Sequence, residues 1–238
     1  MTLLCFHAAG SGSAMYRRWP HLLPPSVETA LIRMPGRESR LAEQPILDFV
    51  TAVTAFESEL DGCFDRDYAL FGHSMGAYLA FALATARVAV GLRPPRHVFV
   101  SGARPPHLFR PPSGRGRRTD ADLTRLLAEM GGTDPVLLDN EEMRQIILRS
   151  FRADLSVCDS MRVPDRSLPC GLSVLGGESD HISREDLAEW SSWSTGLVST
   201  AMFRGGHFFL NMESEAEVLT EVTHVLSGCR AGGGEVPA

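Results

Sequence analysis

Gly72-His73-Ser74-Met75-Gly76 stands between an apolar run, Tyr68 to Phe71, and the alanine-rich stretch YLAFALATA. That setting predicts a strand, a tight turn and a helix. A serine on such a turn has its hydroxyl pushed out above a sheet, and the flanking glycines are small because the turn is tight. A serine hydroxyl is a weak nucleophile near neutral pH and needs a base beside it, most often histidine. Of the eight histidines, His207 in FRGGHFFL follows the last apolar run, where two glycines let the chain turn back towards the strand ends. His73 adjoins the serine but points elsewhere along the turn, and His7 and His181 fall near the same loops as supporting groups. A carboxylate must orient the imidazole and stabilise its charged form. Asp180, in LSVLGGESDHIS just past the run Leu172 to Leu175, takes that place, with Glu178 as its rival. An oxyanion formed on the substrate needs two backbone N–H donors. Met75, after the serine, offers one. Ala9, in the small-residue loop Cys5-Phe6-His7-Ala8-Ala9-Gly10-Ser11-Gly12, offers the other, with Ala8 next in line.

The elements needed to position these residues are legible as short apolar runs at Leu3 to Phe6, Thr29 to Met34, Tyr68 to Phe71, His97 to Val100, Leu172 to Leu175 and Thr200 to Phe203, separated by helical patterns. Alternation of this kind predicts an α/β fold with a mostly parallel central sheet flanked by helices. The chain order Ser74, Asp180, His207 is the order of the α/β-hydrolases. Phe49, Val53, Phe56 and Leu60 share one helical face, and Ser214 with Glu217 forms a capping-box pattern ahead of a closing helix carrying Val218, Val222 and Val225. The alternation lapses between Ala103 and Pro169, where a Pro-, Gly- and Arg-rich segment leads into two amphipathic patterns. The expectation is one domain over residues 1–238, with a helical cap inserted at about 105–157 and a tail at 229–238 that has no core-forming pattern. Met143, Ile147 and Phe151 are then the apolar residues expected to face the substrate, and a pocket closed by two short helices can hold only a short chain.

Composition removes several classes of function. The loop at 5–12 lacks a P-loop lysine, and no G-x-G-x-x-G occurs, which argues against a nucleotide site. Five cysteines lie scattered without metal-ligand spacing, so neither disulfides nor a bound metal is expected, and the serine chemistry requires no cofactor. A formal net charge of -6 argues against nucleic acid as partner. No apolar run is long enough to span a membrane, and the N-terminus lacks the basic start and apolar stretch of a signal peptide. The expectation is a soluble, cytoplasmic protein. All 23 basic residues are arginine. They cluster at Arg17 and Arg18, at Arg33, Arg37 and Arg40, and at Arg104, Arg110, Arg115, Arg117 and Arg118; of these, Arg17, Arg18, Arg115, Arg117 and Arg118 are the candidates to meet an acidic partner.

Over almost its whole length the chain resembles the stand-alone type II thioesterases of polyketide synthases and nonribosomal peptide synthetases. The segments that carry the resemblance are CFHAAGSGSAMYRRW, MPGRESRL, FGHSMGAYLAFALA, SGARPP, LAEMGGTDP, FRADL, LGGESD and FRGGHFFL, in the family's order. The resemblance implies hydrolysis of acyl thioesters from the phosphopantetheine arm of an acyl or peptidyl carrier protein, clearing stalled or aberrant groups. In related integrated thioesterase domains the acid commonly follows the strand after the serine-bearing one, near SGARPP here, where no carboxylate stands. Where the family usually has Pro-His-Ala-Gly-Gly, this chain has His7-Ala8-Ala9-Gly10-Ser11. The residues themselves leave open two other readings, a small-ester carboxylesterase with the same triad and a non-catalytic binding protein of the same fold.

Overall fold

The computed structural model describes the whole chain except residues 111–117, 132, 134, 164, 212 and 232–238. Six strands form one sheet: β1 (Thr2–Phe6), β2 (Glu28–Leu31), β3 (Tyr68–His73), β4 (His97–Ser101), β5 (Gly171–Gly177) and β6 (Val198–Phe203), in the order β2-β1-β3-β4-β5-β6. Every pairing is parallel. All six strands expected from the sequence are present. β2 stops at Leu31 rather than continuing to Met34, because its partner β1 ends at Phe6 and the Ile32 N–H, donating to the Cys5 carbonyl at 3.0 Å, finishes the ladder. β3 lies inside the sheet and every one of its residues is buried, as a strand covered on both faces must be.

The helices are α1 (Trp19–Leu22), α2 (Phe49–Glu59), α3 (Met75–Ala89), α4 (Asp120–Met130), α5 (Pro135–Asp139), α6 (Glu141–Asp159), α7 (Arg184–Ala188) and α8 (Glu215–Ala231). Asp48 caps α2 by accepting the Thr51 N–H, and Phe49, Val53 and Phe56 are buried, as their spacing requires. α2 and α3 pack in the core on one sheet face. On the other face, Phe71 and Phe99 pack with Trp19 and with Val218 and Val222 of α8. Ser214 does precede α8, but its hydroxyl donates to the Arg204 carbonyl, 3.0 Å away, rather than serving a capping box. α8 runs through Ala231 and takes in the first residues of the expected tail; the Arg96 guanidinium donates to the Cys229 carbonyl there.

Between β4 and β5 the chain forms α4, α5 and α6, three helices where two amphipathic patterns were legible. Thr119 and Asp122 close a reciprocal capping box at the start of α4, and Asn140 caps α6 by accepting the Met143 N–H. Full burial along α6 is confined to the stretch from Leu148 to Val157, while Ile147 is only partly buried against the core.

Candidate active site

Parallel strands deliver their following loops to one end of the sheet, and ligands of open α/β sheets bind there. Ser74 follows β3, Gly102 and Ala103 follow β4, Asp180 follows β5, His207 follows β6, and Ala9 lies in the loop after β1. All of them line one cavity of about 640 Å³.

Ser74 has φ 55° and ψ -118°, a conformation that non-glycine residues rarely adopt. It is over-determined by its surroundings. The Ser74 N–H donates to the Ser101 carbonyl at 2.8 Å, and its carbonyl accepts the Ala77 N–H. A Cβ on Gly72 would come within 2.1 Å of the Gly76 carbonyl oxygen, and one on Gly76 within 2.2 Å of the Phe6 carbonyl oxygen. The two glycines of the motif are therefore required by the approach of α3 to β1 and of the turn to itself.

The His207 Nδ1–H donates to Asp180 Oδ2 at 2.8 Å, and the Asp180 side chain is 1% exposed. A carboxylate only accepts, so this bond puts the imidazole proton on Nδ1 and leaves Nε2 as a proton acceptor. The other carboxylate oxygen accepts the His181 backbone N–H at 2.7 Å, and the His181 ring Nδ1 lies 2.7 Å from it. Burial opposes the charge on Asp180, but the hydrogen bond and charge of His207, with His181, outweigh it and hold the carboxyl below its usual range. Glu178 is exposed and its backbone pairs with Phe203. His73 is fully buried, with its Nδ1 2.9 Å from Ser101 Oγ; burial and then the neighbouring His207 charge push its pKa well down. It is a packing group beneath the site.

Met75 and Ala9 both line the cavity with Ser74. Met75 is the first residue of α3, so its N–H has no carbonyl partner within the helix. Ala9 N–H has no acceptor among the described residues, whereas Gly10 N–H donates to Asp154 Oδ2 at 2.8 Å and Ser11 N–H to the Ala8 carbonyl. His7 braces the same loop through its Nδ1–H on the Ala8 carbonyl at 2.8 Å. Burial, then the Arg37 charge, lowers the His7 pKa to about 4.

The apolar wall includes Tyr78, Phe109, Leu126, Met130, Phe151 and Leu155. Of the three residues assigned to the acyl group from sequence, only Phe151 is in it. Met143 is exposed and Ile147 packs against the core, because the first half of α6 has already left the cavity. Cys158 also lines the cavity, but burial pushes its thiol up, so it is no rival nucleophile. Arg104 and Arg110, legible in the sequence only as members of an arginine cluster, also line this cavity, as does Glu129, which no motif spacing marks. Arg104 is held by Asp186 at 2.7 Å. Among the basic clusters, Arg17 is exposed, Arg18 pairs with Glu215 at 2.9 Å, Arg118 is half-buried, and Arg115 and Arg117 fall outside the described residues. The cluster at residues 33–40 is largely spoken for: Arg37 pairs with Asp154, and Arg40 with Glu43 and Glu59. No helix among the described residues is long and apolar enough to cross a membrane.

A serine on a strained turn, an imidazole held by a buried carboxylate, and the Met75 and Ala9 backbones on one cavity with an apolar wall are the parts of acyl-transfer chemistry. The comparisons with known proteins agree with that chemistry. The gramicidin S biosynthesis protein GrsT of Aneurinibacillus migulanus is 32% identical over 222 residues, 92% of this chain and 86% of the relative. RedJ, a thioesterase from the prodiginine pathway of Streptomyces coelicolor, superposes with a TM-score of 0.86 at 32% identity, covering 94% of this chain and 90% of RedJ. The type II thioesterase BorB from the borrelidin cluster gives 0.85 at 28% identity, covering 94% and 92%. The thioesterase domain profile matches residues 1–226, and the chain belongs to the thioesterase family.

Proposed function

We propose that this protein hydrolyses acyl thioesters from the phosphopantetheine arm of acyl or peptidyl carrier proteins, as a stand-alone editing enzyme of a peptide or polyketide assembly line. The observation that carries the reading is the meeting of Ser74, the Asp180–His207 pair and the Ala9 and Met75 N–H groups on one cavity with an apolar wall. Ser74 Oγ attacks the thioester carbonyl while His207 Nε2 takes its proton. Asp180 keeps the imidazole in the required tautomer and stabilises its charged form. The tetrahedral oxyanion accepts from the Met75 and Ala9 N–H groups. Its collapse breaks the C–S bond, and the thiolate takes the proton from His207. Water, deprotonated by the same imidazole, then attacks the acyl-serine; collapse of this second tetrahedral intermediate breaks the ester bond to Ser74, whose oxygen takes the proton back from His207, and the acid is released. A free thiol has a pKa near about 8.5, so the leaving group needs little acid help, and oxyanion stabilisation dominates.

Helices α4 to α6 are read as the cap over the acyl chain, with Phe151 touching it. The pathways named for GrsT, RedJ and BorB support a carrier-borne substrate. Arg17, Arg18, Arg115, Arg117 and Arg118 are the proposed contacts for an acidic carrier protein. The test is mass spectrometry of a panel of acylated carrier proteins incubated with the enzyme. Loss of the acyl mass with retention of the phosphopantetheine supports the reading. Intact acyl carriers alongside rapid cleavage of simple oxygen esters would replace it with a small-ester hydrolase.

A further inference from the structure

One buried ion pair joins the cap to the oxyanion loop. Asp154, on the second half of α6, has a fully buried carboxylate, and Arg37, in the loop after β2, is 6% exposed at its side chain. The guanidinium grips the carboxylate with two nitrogens, Nη1 to Oδ2 at 2.9 Å and Nη2 to Oδ1 at 2.5 Å. The same Nη1 donates to the Ser11 carbonyl at 2.6 Å, and Asp154 Oδ2 accepts the Gly10 N–H at 2.8 Å. Residues 10 and 11 are thus held through both backbone polarities by a pair whose partners lie 117 positions apart in the chain.

The neighbouring contacts tighten the same loop. Glu38, at φ 48°, accepts the Ser13 N–H, the Ser13 hydroxyl and the Ala14 N–H. Gly10, at φ 75°, has no room for a Cβ, which would lie 2.8 Å from Leu127 Cδ2 of α4 and 2.9 Å from Phe151 Cδ2 of α6. Replacing a buried ion pair by apolar residues of similar size is often neutral or stabilising, so stability alone does not explain retaining this one. What the pair does is fix the peptide group that joins Ala9 to Gly10 and the one that follows Ser11, on the C-terminal side of Ala9.

We propose that Asp154 and Arg37 are positioning residues for hydrolysis: they hold Gly10 and Ser11 so that the Ala9 N–H faces the oxyanion, and they make that geometry depend on α6 being seated. The proposal rests on the assignment of Ala9 as an oxyanion donor made above. It follows that displacement of α6 opens the cavity and releases the donor together, so the hole is complete only under a closed cap.

Losing one oxyanion donor costs about 100- to 1,000-fold in kcat, and misdirecting one costs part of that. Asp154→Asn is therefore expected to lower kcat on a soluble acyl N-acetylcysteamine thioester by about 10- to 100-fold, with KM within about 3-fold of the parent. The discriminating readout compares an alkyl boronic acid, which forms a tetrahedral adduct on Ser74, with the matching unreactive thioether. Asp154→Asn should weaken boronate binding by about the factor lost in kcat and leave thioether binding within about 3-fold. Arg37→Met/Asp154→Leu, which fills the site with apolar side chains, should fold with undiminished thermal stability and show the same loss in kcat and boronate affinity; it decides the matter if Asp154→Asn does not fold. A folded variant with kcat within 2-fold of the parent, or one losing thioether and boronate binding equally, would overturn the inference. The underlying hydrolase reading fails separately, if the parent shows no preference for boronate over thioether or if Ser74→Ala keeps its turnover.

Discussion

Asp180→Asn is the substitution whose consequence can be worked furthest from the structure. An asparagine there has one accepting oxygen and one donating NH2, whereas the carboxylate accepts on both sides. On one side stands His207 Nδ1 at 2.8 Å; on the other, the His181 backbone N–H at 2.7 Å. The backbone N–H cannot change its character, so the amide oxygen must face it and the NH2 must face His207. That forces Nδ1 to accept, moves the imidazole proton to Nε2 and leaves no base towards Ser74. Turning the amide over restores the tautomer but sets donor against donor at His181, a cost of about 1–3 kcal/mol that keeps this form a minor one. The minor form also lacks the negative charge that stabilises the imidazolium. Together these predict a fall in kcat of about 10³- to 10⁴-fold, or about 4–5.5 kcal/mol in the barrier. The assay is steady-state hydrolysis of a carrier-bound and a soluble thioester, with circular dichroism to confirm an unchanged fold. Glu178→Gln, on an exposed side chain, should stay within about 2-fold. A loss below about 10-fold for Asp180→Asn, or a larger loss for Glu178→Gln, would refute the assignment of the acid.

Ser74→Gly should abolish turnover yet raise the midpoint of thermal unfolding, because glycine relieves a φ of 55° worth about 1–3 kcal/mol; a lowered midpoint would mean that the turn is not strained. Met143→Ala, on an exposed side chain, should leave acyl-chain preference unchanged, whereas Phe151→Leu should alter it, as read by competition between short and longer acyl thioesters. Burial lowers His97, and together with Arg37 lowers His7, from 6.5 to about 4, so between these values the unfolded chain binds more protons than the folded one. Stability should then be complete above about pH 6.5 and fall towards pH 4, by about 3 kcal/mol for each histidine; urea midpoints across that range should flatten in His97→Gln. Arg17→Glu/Arg18→Glu should slow capture of acylated carrier protein several-fold at low salt and leave the soluble thioester untouched, and equal effects on both substrates would show these arginines to be only a solvated face.

The sequence by itself determined the strands, the serine turn and the placing of Asp180 and His207 at strand ends. These are local matters: apolar runs of strand length, glycines where a Cβ would strike Gly76 or Phe6, and polar residues directly after each run. Periodicity carries β2 to Met34, but the strand ends at Leu31 because its partner β1 ends at Phe6. What only the tertiary structure decided concerns groups far apart in the chain. Met143, Ile147 and Phe151 share one helical stripe, but the spacing cannot say that α6 reaches the cavity only with its second half. Arg37 looks like one member of a surface cluster until Asp154 is brought against it, and MPGRE and FRADL each contain half of that pair without naming the other. An ion pair acquires its meaning from burial and from what its remaining donors touch. Neither exists before α6 is laid over the loop after β1.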